Sequence, residues 1–283
     1  MITLAIVLVI MVAEIIGGLL SNSLALLGDA GHMLTDALAL GLSLLAVNIA
    51  RRPATLTRTF GYYRAEIIAA LANGTILALI SIYIFYEAYQ RLFDSPAIRS
   101  PLMILVASIG LVANLIGILL LRKSSHSNIN VKAAFWHVIG DTISSVGVII
   151  AGVIILLTGW YIVDPILAFF VGIIILWGAV RIVKESADIL LESVPKHIRI
   201  EELASAAKSV PGVEDIHDIH VWTITSNIYA LSAHLCIEDQ TVSRSTEIVT
   251  LVNNILAENF NITHTTLQLE CESCPTGLAC SIS

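Results

Sequence analysis

Charge is what this sequence has least of. Only 13% of its 283 residues are Asp, Glu, Lys or Arg, about half the ~25% of an ordinary soluble domain. Apolar residues make up 57% and the mean hydropathy is +0.87, a composition suited to a bilayer as solvent. No Lys/Arg-rich run occurs and the net charge is −7, which argues against a nucleic-acid partner. Cysteine is scarce too. Cys236 stands alone, and Cys271, Cys274 and Cys280 crowd the end of the chain. Such bunching does not suit a disulfide framework and reads, in a reducing compartment, as thiols or metal ligands. There is no His-Glu-x-x-His stretch, so a common signature of a zinc hydrolase is missing.

Long apolar runs are what the chain does have. A membrane-crossing helix needs roughly 20 mostly apolar residues, and six segments qualify: Ile2–Leu20, Leu26–Ala50, Ala65–Tyr89, Leu102–Leu121, Ala133–Leu157 and Ile162–Val183. The first lacks a cationic flank and a small-residue cleavage site, so it is expected to be a retained helix, not a signal peptide. Arg51, Arg52, Arg58 and Arg64 follow the second segment, Arg122, Lys123 and Lys132 lie between the fourth and fifth, and Arg181 and Lys184 close the sixth. The opposite connections are poor in cations, which predicts that the basic loops and both termini face the cytoplasm.

The pattern changes after Leu191. Residues Arg199–Ser209 read as a short amphipathic helix, and Val213–Thr225 and Tyr229–Ile237 as alternating strands around a turn at Asn227. Ser243–Asn259 reads as a second helix and Thr265–Leu269 as a last strand. The expected architecture is therefore a membrane all-α six-helix bundle over residues 1–190, followed by a small cytoplasmic α+β domain of order α-β-β-α-β over 195–270. A Cys-containing tail, 271–283, ends the chain.

Ionisable groups inside membrane spans are costly, and each is a functional hypothesis by default. The second span carries Asp29, His32 and Asp36, and the fifth carries His137 and Asp141. The His-x-x-x-Asp spacing puts both members of a pair on one helical face, a turn apart. If the two helices pack together, two imidazoles and two carboxylates converge. Zn²⁺ takes such ligands in a tetrahedron, and the carboxylates offset its charge. The lack of thiolates disfavours Cu(I), and four ligands are too few for Ca²⁺ or Mg²⁺. A structural alternative is that each pair is a His–Asp hydrogen bond serving helix packing. Two identical pairs on separate spans make that the weaker reading. Asp29 could cap its helix, Glu14 could face a water-filled cavity, Glu66 could pair with Arg64 at a helix start, Glu87 could snorkel, and Asp164 looks like the cap of the sixth helix.

Taken in order, these segments resemble the cation diffusion facilitators, in their zinc-transporting (zinc/cadmium/cobalt resistance-like) branch. The resemblance rests on Ser23 to Asp36, on Thr59-Phe-Gly-Tyr-Tyr-Arg-Ala-Glu66 and on Asn130 to Asp141. Asp164-Pro165 and His217-Asp-Ile-His-Val-Trp222 extend it over nearly the whole chain. It implies six helices with a metallochaperone-like cytoplasmic domain, a homodimer, and a transport site of His32, Asp36, His137 and Asp141. In similar proteins two His with two Asp goes with zinc, while Asp in place of the first His broadens selection towards cadmium. By motif, His217, His234 and Glu270 match cytoplasmic zinc ligands, with Cys271 and Cys274 near the usual tail thiols. His217 and His220 are three apart on a strand and so are expected to face opposite sides, where they cannot easily share one ion. Two features of relatives are missing. The stretch Ser124–Asn130 keeps only His126 where a His-rich loop is common, and Arg51–Tyr63 has no Asp or His for a second loop site.

The expected activity is export of Zn²⁺, with Cd²⁺ or Co²⁺ as further candidates, in exchange for protons across a prokaryotic inner membrane. Because metal binding needs deprotonated imidazole, protons and metal compete for the same histidines. A metallohydrolase would need an open coordination position and a nearby Glu as base, and neither is offered. A metal sensor with a mere anchor would need no intramembrane charge.

Overall fold

The computed structural model describes residues 2–50, 52–122, 129–271 and 278. Within the helices, the side chains of residues 2–7, 36, 39, 40, 43, 44, 47, 50, 129–134 and 137 lie outside that description. The chain divides into two compact units, residues 1–45 with 69–183, and residues 46–68 with 184–283.

Six long helices supply the first unit: α1 (Ile2–Ser21), α2 (Leu24–Ala50), α3 (Ala65–Phe93), α4 (Ser100–Arg122), α5 (Ile129–Thr158) and α6 (Val163–Leu190). They begin and end within a few residues of the apolar runs, except that α3, α5 and α6 continue by one or two turns into more polar sequence. Among the described residues, Ala65–Phe93, Ser100–Arg122, Val138–Thr158 and Val163–Leu190 are each long and apolar enough to cross a membrane, and Leu8–Ser21 is a shorter apolar stretch. The breaks fall where the backbone turns left-handed, at Asn22 (φ 63°) and Gly159 (φ 69°), conformations that Asn and Gly tolerate best.

In apolar surroundings helices associate by close packing of small residues. Here α4 lies against both α1 and α5. A Cβ at Gly17 would come within 2.6 Å of Val106, and one at Gly152 within 2.6 Å of Ile104. Leu24, Leu26, Met103, Val148 and Ala168 fill the centre.

The start of α2 is held from a distance. Asp164 accepts hydrogen bonds from Ser23 Oγ (2.6 Å) and from the backbone N–H groups of Leu24 (2.7 Å) and Ala25 (3.2 Å). It therefore caps α2, not its own helix α6 as its place in the sequence suggested. Arg91 adds a second clamp, donating to the Asn22 carbonyl (2.7 Å) and to Asn22 Oδ1 (3.2 Å) while it pairs with Glu87 (2.9 Å). Glu87 is thus ion-paired and does not snorkel.

The second unit contains α7 (Ile200–Lys208), β1 (Val213–Thr225), β2 (Ile228–Ile237), α8 (Val242–Phe260) and β3 (Ile262–Glu270). This is the expected α-β-β-α-β order. The sheet runs β1-β2-β3, with β1 antiparallel to β2 and β2 parallel to β3; α8 is the crossover that a parallel pair requires. Asn227 (φ 62°) turns the β1–β2 hairpin, and Asn261 (φ 56°) ends α8 and starts β3 three residues earlier than the alternation indicated. Leu203, Ala207, Ile216, Leu231, Leu235, Val252 and Leu256 make one core between the sheet and the two helices. Residues 46–68 belong to the same unit. Glu66 accepts hydrogen bonds from Thr225 Oγ1 (2.8 Å) and Ser226 Oγ (3.1 Å), and Arg64 pairs with Glu192 (2.8 Å). The expected Arg64–Glu66 pair does not form; each finds a partner more than 120 residues away.

Candidate metal sites

In the first unit, α2 and α5 bring His32 and Asp141 together, with Nε2 and Oδ1 3.9 Å apart. That exceeds hydrogen-bond length. It is close to the ~3.4 Å separating two ligand atoms of one tetrahedral ion with bonds near 2.1 Å. The helical backbone runs unbroken through 32–36 and 137–141, so Asp36 lies one turn beyond His32, and His137 one turn before Asp141. The side chains of Asp36 and His137 lie outside the described residues.

Two more acids are buried in this unit. Asp29 is 5% exposed and sits in the second turn of α2, five residues past its start, so it does not cap that helix. Glu14 is 1% exposed on α1. It lies against α4, where its Oε1 would be 2.5 Å from a Cβ at Gly110, so it packs against a helix backbone. Asp29 and Asp141 both lie within electrostatic range of Glu14. Apolar periodicity could not have predicted this, because the glycine that admits Glu14 lies on another helix.

In the second unit, the sheet face away from α7 and α8 collects polar groups. His217 pairs across the strands with His234, His220 with Ser232, and Cys236 with Glu270. Three residues of β1 thus span two of β2, which is a β-bulge. Asp218 is its extra residue, with φ 49°. The bulge reverses the expectation for His217 and His220, because their partners are two apart on β2 and both histidines therefore face the same side.

On that face His234 Nδ1 lies 2.8 Å from Glu270 Oε1, and His217 Nε2 3.4 Å from Glu270 Oε2. Asp218 lies 3.6 Å from His234 Nε2 and 3.1 Å from His220 Nε2. His217 is 3% exposed, and among the described residues its Nδ1 has no hydrogen-bond partner. Ligand atoms of His217, Cys236 and Glu270 lie within 4.8 Å of one another. Cys236 was not among the candidates read from the sequence, although its spacing from His234 on an alternating strand was a usable signal. Cys271 is exposed just past the end of β3 and is not part of this close set. Cys274 lies outside the described residues.

Comparison with known proteins gives this geometry a context. Residues 1–191 match the family described as the cation efflux transmembrane domain, and residues 195–272 match the cytoplasmic domain of cation efflux proteins. A metal cation efflux system protein, CzcD, of Cupriavidus metallidurans is 42% identical over 264 residues, covering 93% of this chain and 83% of that protein. A cadmium, cobalt and zinc/H⁺-K⁺ antiporter of Bacillus subtilis is 41% identical over 266 residues, covering 93% and 85%. The zinc transporter ZitB of Escherichia coli is 38% identical over 272 residues, covering 93% and 84%. Matches of this extent, on a chain with apolar membrane-length helices and a small α+β domain, show that it belongs to the cation efflux family of integral membrane transporters.

Proposed function

We propose that this protein exports Zn²⁺ from the cytoplasm by exchange for protons, with Cd²⁺ and Co²⁺ as further substrates, through a site made of His32, Asp36, His137 and Asp141. The observation that carries this reading is the 3.9 Å approach of His32 and Asp141 across α2 and α5. In an antiparallel pair of helices, placing His32 beside Asp141 brings positions 36 and 137 level one turn away, so all four groups can meet one ion. The names of the relatives, which include cadmium, cobalt, zinc and H⁺, agree with the substrates proposed.

The chain's own groups can carry the exchange. Two carboxylates offset the charge of a dication in a medium of low dielectric constant. An imidazole must lose its proton to bind metal, so proton and metal occupy it in alternation. Rocking of the helices around a fixed midplane site would expose it to each side in turn. Four protein ligands fill a tetrahedral ion, which leaves no open position for hydrolytic chemistry. We read residues 1–190 as the transport domain, 195–270 as a cytoplasmic regulatory domain and 271–283 as its tail, with both termini in the cytoplasm of a prokaryotic cell and two chains forming a homodimer. The cytoplasmic face with His217, His234 and Glu270 would bind zinc, assisted by Cys271 and Cys274, and thereby tighten the dimer.

The test is metal uptake by proteoliposomes under an imposed pH gradient. The unaltered protein should move Zn²⁺ towards the acidic side. Asp141→Ala and Asp36→Ala should each abolish that flux, and His32→Asp should raise cadmium transport relative to zinc. Wild-type zinc flux from Asp141→Ala would remove the site assignment.

A further inference from the structure

We propose that Cys236 is a metal ligand, and that its thiolate joins His217, His234 and Glu270 in a closed, four-coordinate site selective for soft divalent cations. The inference rests on the reading that this sheet face binds metal, and it changes which sulfur takes part.

Geometry is the first support. A ligand atom from each of His217, Cys236 and Glu270 lies within 4.8 Å of the others. Bonds of ~2.0–2.3 Å around a tetrahedral zinc would bring such atoms to roughly 3.4–3.8 Å, a closure of about one ångström that side-chain rotation supplies. Glu270 is already 2.8 Å from His234 and 3.4 Å from His217, so it links the two imidazoles. Cys236 is its cross-strand neighbour.

Position is the second support. Buried cysteine is most often a small apolar filler, but β2 fills its core with alternate residues, Leu231, Ala233, Leu235 and Ile237. Cys236 is out of phase with them and in phase with His234, so it faces the polar side, where it is 4% exposed beside two imidazoles and a carboxylate. His217 Nδ1 is buried there with no hydrogen-bond partner among the described residues.

Chemistry is the third. A thiolate and a carboxylate together cancel the charge of a dication. Sulfur with two imidazoles favours Zn²⁺ and Cd²⁺ over Mg²⁺, Ca²⁺ and Mn²⁺. All four ligands sit on paired strands of a packed sheet, which gives a rigid, complete coordination shell. The exposed Cys271 and the thiols beyond it are then unnecessary for binding.

The experiment uses the full chain in detergent, reduced, with Cys271→Ser, Cys274→Ser and Cys280→Ser, so that Cys236 is the only thiol left. Titration with Co²⁺ should give a sulfur-to-cobalt charge-transfer band that saturates at one equivalent per chain. The band should vanish in Cys236→Ser and in His217→Ala and persist in His32→Ala. Cys236→Ser should also weaken Cd²⁺ binding at this site by at least about tenfold, since even outer-shell losses cost 10–100-fold. Cadmium NMR of the protein retaining Cys236 reads sulfur ligation directly, should the serine variant fail to fold. Cobalt d–d absorption that depends on Glu270 but carries no charge-transfer band would overturn the role of Cys236 and leave the cytoplasmic site standing. Binding of a single Co²⁺ that His32→Ala removes and Glu270→Gln does not would overturn both.

Discussion

Several single residues here act far from where they stand in the sequence. Asp164 offers its carboxylate to a hydroxyl and two backbone N–H groups at the start of α2. Replacing it by Asn removes the charge that makes those bonds strong and leaves buried donors poorly matched. Asp164→Asn should cost about 1–3 kcal/mol, read as a lower thermal unfolding temperature in detergent. Asp215 has a nearer partner. Its bond to Lys208 Nζ at 2.6 Å holds its carboxyl below the ordinary value. A depressed folded-state pKa stabilises above the unfolded value and that contribution is lost as pH falls through the folded one. The pair is about half exposed, so its worth is under ~1 kcal/mol. Lys208→Met should raise the Asp215 carboxyl back towards its ordinary value in an NMR titration. None of these partners could be read from sequence. Asp164 and Ser23 are 141 positions apart, Glu66 and Thr225 159, and side-chain type alone does not name a distant partner.

At the scale of elements, the chain was legible wherever a period repeats. Apolar runs marked all six long helices, and alternation marked both strands of the hairpin, because burial on one side imposes those patterns. A single departure from a period, the bulge at Asp218, carries no such mark. A left-handed Asp costs little and leaves no compositional trace, yet it decides which way His220 points. Deleting Asp218 should restore plain alternation and disrupt the approach of His217 or His220 to that face. The protein should lose metal bound at the cytoplasmic face, measured by equilibrium dialysis in a His32→Ala background, with its far-ultraviolet circular dichroism unchanged. Gly212 is the other element-scale constraint. Its φ is 95°, and a Cβ would come within 2.6 Å of Ile248 Cδ1. Gly212→Ala should destabilise the α7–β1 junction by about 1–3 kcal/mol, visible as earlier unfolding of the second unit by hydrogen exchange.

For the whole molecule, the proposed exchange has a sign that can be measured. Protons and metal compete for the same imidazoles, so Zn²⁺ should move against a proton gradient and stop when an ionophore collapses it. In vesicles with an acidic lumen, uptake should fall to the leak rate on adding nigericin. Uptake that is indifferent to nigericin would rule out proton coupling. The convergence of His32 and Asp141 was legible in advance because two equal spacings on two spans are a relation between elements. No cluster in the sequence marks the thiol of Cys236; the sheet sets it beside His217 and Glu270 from the two other strands.

The clamp on α2 also bears on how such a molecule can move. Three hydrogen bonds to Asp164, with the grip of Arg91 on Asn22, pin one end of the helix that carries His32 to α6 and α3. A helix held at one tip swings like a door leaf. Displacement grows with distance from the hinge, so the segment around Asp36 travels further than Ser23. In the exchange proposed above, the end of α2 away from Asn22 would open and close the passage, so a crosslink there should arrest transport while one beside Asn22 is tolerated.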